Sequence, residues 1–278
     1  MTAIEPMPGP GAPFELPEEL AIDTDVARRV IAEFIRGQLE QAGFERAVLG
    51  LSGGIDSAVV AHLVAEAIGS DRLLAVLMPY RSSSPASRAD AESVVAALGC
   101  ASEVVDITAM VDGYFGAEAT IGARTATAPG ALGEGPAASA LRRGNFSARM
   151  RMAVLYDRSV TWGGLVVGTS NKTESLIGYT TVFGDAACAF NPIGDLYKSQ
   201  VRQLAVALGV HDAIVRKSPS ADLWPGQTDE DEGGFSYPVL DRLLFWRVDK
   251  RRSDDEMVAL GFDPALVARV DRMVAGAE

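Results

Sequence analysis

The sequence predicts an α/β fold, a doubly wound parallel sheet with flanking helices. Three observations predict it. Short apolar runs at 47–51, 73–79, 102–107 and 165–170 have strand length and alternate with segments whose apolar residues recur at helical spacing. Polar or glycine-rich residues follow these runs: Gly50–Ser57 after the first, Tyr80–Ser84 after the second, Thr169–Glu174 after the fourth. In an open parallel sheet, ligands gather beyond the carboxyl ends of the strands, which is where these residues fall.

Each element has a local reason. Residues 1–17 are rich in Pro and Gly, so 1–22 is expected to be a flexible arm ahead of a single domain over 23–278. A helix is expected from Asp23, with Val26, Val30, Phe34 and Ile35 on one face and Gly43 near its stop. The first strand, AVLGL, opens into Ser52-Gly53-Gly54-Ile55-Asp56-Ser57 and a helix with Ile55, Val59 and Leu63 in register. A second strand at 73–79, a helix through Ala91–Leu98, a third strand at 102–107 and a fourth at 165–170 complete the alternation. Residues 122–144 read as a long small-residue loop closed by Arg142 and Arg143, either a lid over an anionic substrate or a solvated linker. Residues 217–236 are too dense in Pro, Gly and Asp to form an element. From Tyr237 onward short helices are expected, with Val239, Leu243 and Trp246 on one side.

Composition excludes several classes. The chain has 278 residues, a hydrophobic fraction of 48% and a net charge of −12, which argues against a nucleic-acid-binding surface. No apolar run is long enough to cross a membrane. The opening residues lack a charged segment followed by an apolar one, so no secretory signal is read and a cytoplasmic protein is expected. Cys100 and Cys188 are expected to be reduced. His62 and His211 are far apart in helical contexts, which suits neither a zinc site nor a triad base.

The chemistry concentrates in the glycine loop. Gly53 and Gly54 let the backbone turn and approach a ligand, and the N–H groups of the new helix, with the Ser52 and Ser57 hydroxyls, make an anion cradle. No lysine follows the glycines, so this is not a Walker loop. Asp56 is the informative residue: a carboxylate beside polyphosphate repels it unless a hard cation such as Mg²⁺ lies between them. Glu174 supplies a second carboxylate, Thr169 a hydroxyl for adenine or ribose, and Lys198 a charge to offset phosphate. Asn145 and Arg149 sit one helical turn apart in an arginine cluster, which suits an anionic ligand.

SGGIDS resembles the signature of the ATP pyrophosphatases, which split ATP into AMP and pyrophosphate. With RGNFSARMRM, GTSNKTE, FGD, NPIGDLYKSQV and PSADLWPGQTDE following in order, the chain resembles the NAD synthetases from about Val26 to about Tyr237. The resemblance implies an adenine nucleotide alpha hydrolase-like fold, ATP as co-substrate and Mg²⁺ held by Asp56 and Glu174. It implies ATP contacts from Gly50, Leu51, Ser52, Gly53, Gly54, Ile55, Asp56, Ser57, Arg81, Thr169, Lys198 and Ser220. Deamido-NAD would meet Asn145 and Arg149, with Tyr156, Asp222 and Asp229 as further candidates. The implied reaction is amidation of deamido-NAD to NAD⁺ through an acyl-adenylate, the last step of NAD biosynthesis, with no protein nucleophile.

Two positions depart from the pattern. Val182 and Ala189 stand where the ammonia-dependent bacterial members resemble one another in having a lysine and an aspartate, and the local sequence is closer to the synthetase domains of glutamine-dependent enzymes. Too few residues precede Val26 for a glutaminase-like domain, so the expected nitrogen source is free ammonia or a separate amidase partner. The end, VDRMVAGAE, lacks the basic tail of such enzymes. A homodimer is implied by the resemblance. Two other readings stay open at this point: the same ATP chemistry on another acceptor, as in GMP synthetase-like amination or tRNA thiolation, and a nucleotide-sensing module without turnover.

Overall fold

The computed structural model describes residues 16–121, 136–219 and 234–277. Its sheet is parallel, in the order β3-β2-β1-β4, with β1 Ala47–Gly50, β2 Leu73–Leu77, β3 Ala101–Val104 and β4 Leu165–Val166. Val48 pairs with Leu74 on one side and with Val166 on the other. The chain leaves β1 for β2 on one flank while β4 lies on the opposite flank, so connections diverge beyond Gly50 and open a crevice.

Side chains of successive strand residues point to opposite faces. Ala47, Leu49, Leu73, Ala75 and Leu77 face one core with α1 (Thr24–Ala42), α2 (Ile55–Ile68) and α7 (Lys198–Ala207). Val48, Leu74 and Val76 face another, against α4 (Thr108–Ile121) and α5 (Pro136–Trp162). Helix α2 buries nearly its whole circumference, including Ala58, Val59, Val60, Ala61, Leu63 and Val64. An all-round apolar helix belongs in the middle of a protein, which places the start of α2 deep in the molecule. A third cluster gathers the helices Tyr237–Leu244, Asp254–Ala259 and Pro264–Ala277 around Leu240, Leu243, Leu244 and Met257.

Several expectations are corrected. On α1 the buried stripe is Ile31, Ala32, Ile35 and Leu39, while Val26, Val30 and Phe34 are exposed. Both sets recur at four-residue spacing, and packing against α2 and α7 selects the first. The run at 73–79 stops pairing as a regular strand at Leu77, two residues before Pro79. β3 is shorter than 102–107 because Asp106 turns to accept from Thr108 N–H (2.7 Å) at the start of α4. Residues 136–144 are helical, not loop: Pro136 suits a first helical position and the alanines after it favour helix. Residues 122–135, the rest of the expected lid or linker, lie outside the described residues. In the C-terminal helices Leu240, Leu243 and Leu244 form the buried stripe, and Val239 is exposed.

The expected arm is docked at its end. Residues 18–20 form a 3₁₀ turn, Leu20 is fully buried in the C-terminal cluster, and Glu19 accepts from Arg242 Nε (2.6 Å) and Trp246 Nε1 (2.9 Å). Gln203 on α7 grips the same segment, accepting from Ile22 N–H and donating to the Leu20 carbonyl at 3.0 Å each. Among the described residues no helix is long and apolar enough to cross a membrane.

Candidate active site

The loop from β1 to α2 is built from glycine and serine for steric reasons. Gly53 has φ +80°, and a Cβ there would lie 2.0 Å from the Ser87 carbonyl oxygen of α3 (Pro85–Leu98). Ser57 is buried at 3% exposure; its hydroxyl donates to the Gly54 carbonyl (3.0 Å) and accepts from Ser52 N–H (3.3 Å). Ser52 Oγ accepts from Gly54 N–H (3.2 Å). These bonds hold the turn closed at the amino end of α2, where free N–H groups and the helix dipole favour an anion. The serines therefore shape the loop from within.

Asp56, in the first turn of α2, meets residues that arrive from beyond β4. Lys198 Nζ lies 2.6 Å from Asp56 Oδ2 and 3.0 Å from Glu174 Oε1, so one ammonium joins both carboxylates. Asn171, fully buried, fixes the second acid and the first together. Its Oδ1 caps α6 (Lys172–Ile177) by accepting from Glu174 N–H (3.0 Å), and its Nδ2 donates to Asp56 Oδ1 (2.9 Å). The Glu174 carboxylate returns the bond, accepting from Asn171 N–H (3.3 Å) in a capping box.

A third buried carboxylate ties the two helices that carry this cluster. Asp241 accepts from Thr173 Oγ1 (2.6 Å) and from Ser199 N–H (2.7 Å), and Thr173 Oγ1 accepts from Lys198 N–H (3.0 Å). The amino ends of α6 and α7 are thus pinned to the helix Tyr237–Leu244.

The electrostatics follow from burial. Burial pushes the Glu174 carboxyl up to about 7 against the pull of Lys198, with the Asp56 charge adding to the rise. Burial works against the Lys198 charge, yet the Asp56 and Glu174 carboxylates hold it well above the ordinary lysine range. Asp241 is pushed up to about 6 by burial, against hydrogen bonds from Ser199 and Thr173. A cavity of about 690 Å³ opens over this cluster, lined by Gly50–Ser52, Gly54–Ser57, Thr169, Ser170, Glu174 and Lys198, with Arg151, Asp185 and Lys217 on other walls.

The family model described as NAD synthase matches residues 27–278. The chain belongs to the NAD synthase family. Among curated relatives, the NH(3)-dependent NAD(+) synthetase of Trichlorobacter lovleyi is 49% identical over 251 residues, covering 90% of this chain and 86% of that protein. A solved structure titled NMN synthetase, from Francisella tularensis, is 29% identical with TM-score 0.77, covering 93% of this chain and 95% of that one. The NH3-dependent NAD synthetase of Campylobacter jejuni, solved in complex with nitrate ion, is 32% identical with TM-score 0.71, covering 92% and 95%.

Within this NAD synthase fold the residues singled out from sequence divide. The structure brings Gly50, Leu51, Ser52, Gly54, Ile55, Asp56, Ser57, Thr169, Glu174, Lys198 and Asn145 to the cavity wall. Gly53 backs the loop against α3 instead. Arg81 lies off the cavity wall, paired with Asp112 (3.1 Å). Arg149 is exposed and donates from Nε to the Val182 carbonyl (3.2 Å), and Tyr156 is 40% exposed away from the cavity. Ser220, Asp222 and Asp229 lie outside the described residues. Of the arginine cluster, Arg151 is the member on the cavity wall, donating from Nε to the Met78 carbonyl (3.0 Å).

Sequence reasoning missed the work of Asn171, Asp241 and Lys217. The Asn171-x-x-Glu174 spacing signals a capping box and was available. Nothing local marks Asp241, whose partners are 68 and 42 residues away. Lys217 pairs with Asp90 (2.8 Å) on α3 and sat within a stretch read as featureless loop.

Proposed function

We propose that the chain is an ammonia-dependent NAD⁺ synthetase, a ligase that amidates deamido-NAD at the expense of ATP, releasing AMP and pyrophosphate. The family membership and the named relatives support the reaction. The observation that carries it to these residues is the pair of carboxylates, Asp56 and Glu174, meeting one cation at the mouth of a lysine-free glycine loop.

The donor set fits magnesium. Both side chains offer hard oxygen ligands, and the contact each makes with the same ammonium places them within reach of a single ion. No group of three or more metal-ligating His, Cys, Asp or Glu occurs among the described residues, which suits an ion completed by substrate phosphates. When bound, Mg²⁺ would neutralise the triphosphate and the departing pyrophosphate.

The remaining work falls to the protein. The nicotinate carboxylate is a poor acyl donor because its leaving group would be oxide. Its oxygen attacks the ATP α-phosphorus, the bond to pyrophosphate breaks, and an acyl-adenylate forms. The amino end of α2 and its serine-braced loop hold phosphate oxygens, Lys198 offsets their charge, and Thr169 orients the nucleoside. Ammonia then attacks the acyl carbon; AMP leaves with the former carboxylate oxygen, and a proton is lost to give the amide. The polar residues Asn145 and Arg151, which α5 contributes to the wall, are proposed to meet the acceptor, and we also propose a cytoplasmic homodimer supplied with free ammonia or by a separate amidase.

The test is NAD⁺ formation from Mg-ATP, ammonium and deamido-NAD, each omitted in turn, with nicotinate mononucleotide as an alternative acceptor. NAD⁺ and pyrophosphate in equal amounts, dependent on all three substrates, are expected. Pyrophosphate release that ignores deamido-NAD would overturn the reading. Preference for the mononucleotide would move the acceptor toward the activity named for the Francisella protein. Mass measurement in solution checks the dimer.

A further inference from the structure

The arrangement around Lys198 bears on the order in which the site fills. This inference rests on the metal role proposed for Asp56 and Glu174. Lys198 Nζ lies 2.6 Å from Asp56 Oδ2 and 3.0 Å from Glu174 Oε1, and its side chain is only 5% exposed. A divalent ion binding both acids needs oxygen distances of about 2.1 Å, and therefore the space that the ammonium occupies. Two cations in that space would also repel each other strongly, because little water screens them.

Nothing else nearby frees the acids. Asp56 Oδ1 is already taken by Asn171 Nδ2 at 2.9 Å, and Glu174 Oε2 by Asn171 N–H at 3.3 Å. The oxygens turned toward Lys198 are the pair that faces a common point, and the ammonium holds that point. The lysine backbone is fixed, since its N–H bonds to Thr173 Oγ1 (3.0 Å) and the next N–H to Asp241 (2.7 Å). Only the side-chain torsions can carry the ammonium away, and a triphosphate over the glycine loop offers it a stronger anion.

We propose that Lys198 is a built-in counterion for the acid pair, displaced when nucleotide arrives, so that a divalent ion reaches Asp56 and Glu174 only together with ATP. Binding is then ordered: metal without nucleotide meets a closed site. The lysine acts twice, first guarding the acids and then holding phosphate.

The probe is Mn²⁺, followed by its electron paramagnetic resonance signal and by thermal melting, on protein alone and with α,β-methylene-ATP. Wild type alone is expected to take up no Mn²⁺ at micromolar concentrations and to melt unchanged. With the analogue it should take up one ion beyond what the analogue binds in solution. Lys198→Met is expected to bind Mn²⁺ without nucleotide about tenfold or more tightly than wild type, and to melt higher in its presence. Adding Asp56→Asn to that variant should cancel the gain, which locates it at the acid pair. Saturable micromolar Mn²⁺ binding by nucleotide-free wild type would overturn the proposal, and so would a Lys198→Met protein no tighter than wild type. Should Lys198→Met fail to fold, the wild-type titrations alone decide. NAD⁺ formation measured on the same preparation separates the two failures: synthesis together with tight metal binding in the absence of nucleotide sinks the counterion idea and leaves the function standing.

Discussion

Asp56 and Glu174 share one ammonium, so the cluster sets two carboxyl groups against a single cation. Removing the charge of one acid still leaves the ammonium a carboxylate partner, and Gln at position 174 can still close the capping box with Asn171. Asp56→Asn and Glu174→Gln should therefore each lower NAD⁺ synthesis by about 100-fold or more, as loss of a group that stabilises developing charge does. Each should melt within a few degrees of wild type. Undiminished synthesis in either variant would remove that residue from the reaction. The pH behaviour follows from the same burial. Folding raises the Glu174 carboxyl from 4.5 to about 7, so the folded chain holds a proton there that the unfolded chain releases. That contribution to stability is full below pH of about 4.5 and lost as pH rises through about 7. Melting temperature should fall across this window more steeply in wild type than in Glu174→Gln; equal slopes would contradict it. At this scale the sequence revealed the acids, because their spacing after a strand is local. It concealed their shared partner geometry and the true orientation of Arg81 and Arg149, which depend on contacts across the chain.

The elements that deliver these residues are held by positions with little freedom. At Gly53, φ is +80° and a Cβ would meet the Ser87 carbonyl at 2.0 Å. Gly53→Ala should cost about 2 kcal/mol or more through left-handed strain alone, before the clash is counted. It should also raise the KM for ATP, since α3 and the loop must part; an unchanged melting temperature and KM would refute this. Thr173→Val keeps shape while removing the hydroxyl that donates to Asp241 and accepts from Lys198 N–H. A buried carboxylate losing a donor predicts a loss of about 1–3 kcal/mol in urea unfolding. Strands and the central helix were legible because apolar periodicity is strong there. Helix α1 carries two four-residue stripes, and only its neighbours choose the one with Ile31, Ile35 and Leu39 over the one with Val26, Val30 and Phe34. The start of α5 looks like loop in the sequence because its alanines are small, yet alanine is also the strongest helix former.

Across the whole molecule, the two ends of the described chain complete one core. Leu20 is fully buried among residues of the C-terminal helices, and Glu19 bonds to Arg242 and Trp246. Leu20→Ala should destabilise by about 2–5 kcal/mol, read in denaturant unfolding, though the residue lies in a stretch whose composition suggests mobility. A shift below 0.5 kcal/mol would show the docking to be incidental. That docking was not legible, because its partners come from the opposite end of the sequence. It has a consequence for biosynthesis. On the ribosome Leu20 emerges long before Leu240 and Met257 exist, so its greasy side chain must wait in water for nearly the whole of translation. Nascent chains stalled ahead of the last helices should be the ones that chaperones hold and proteases clip at the front.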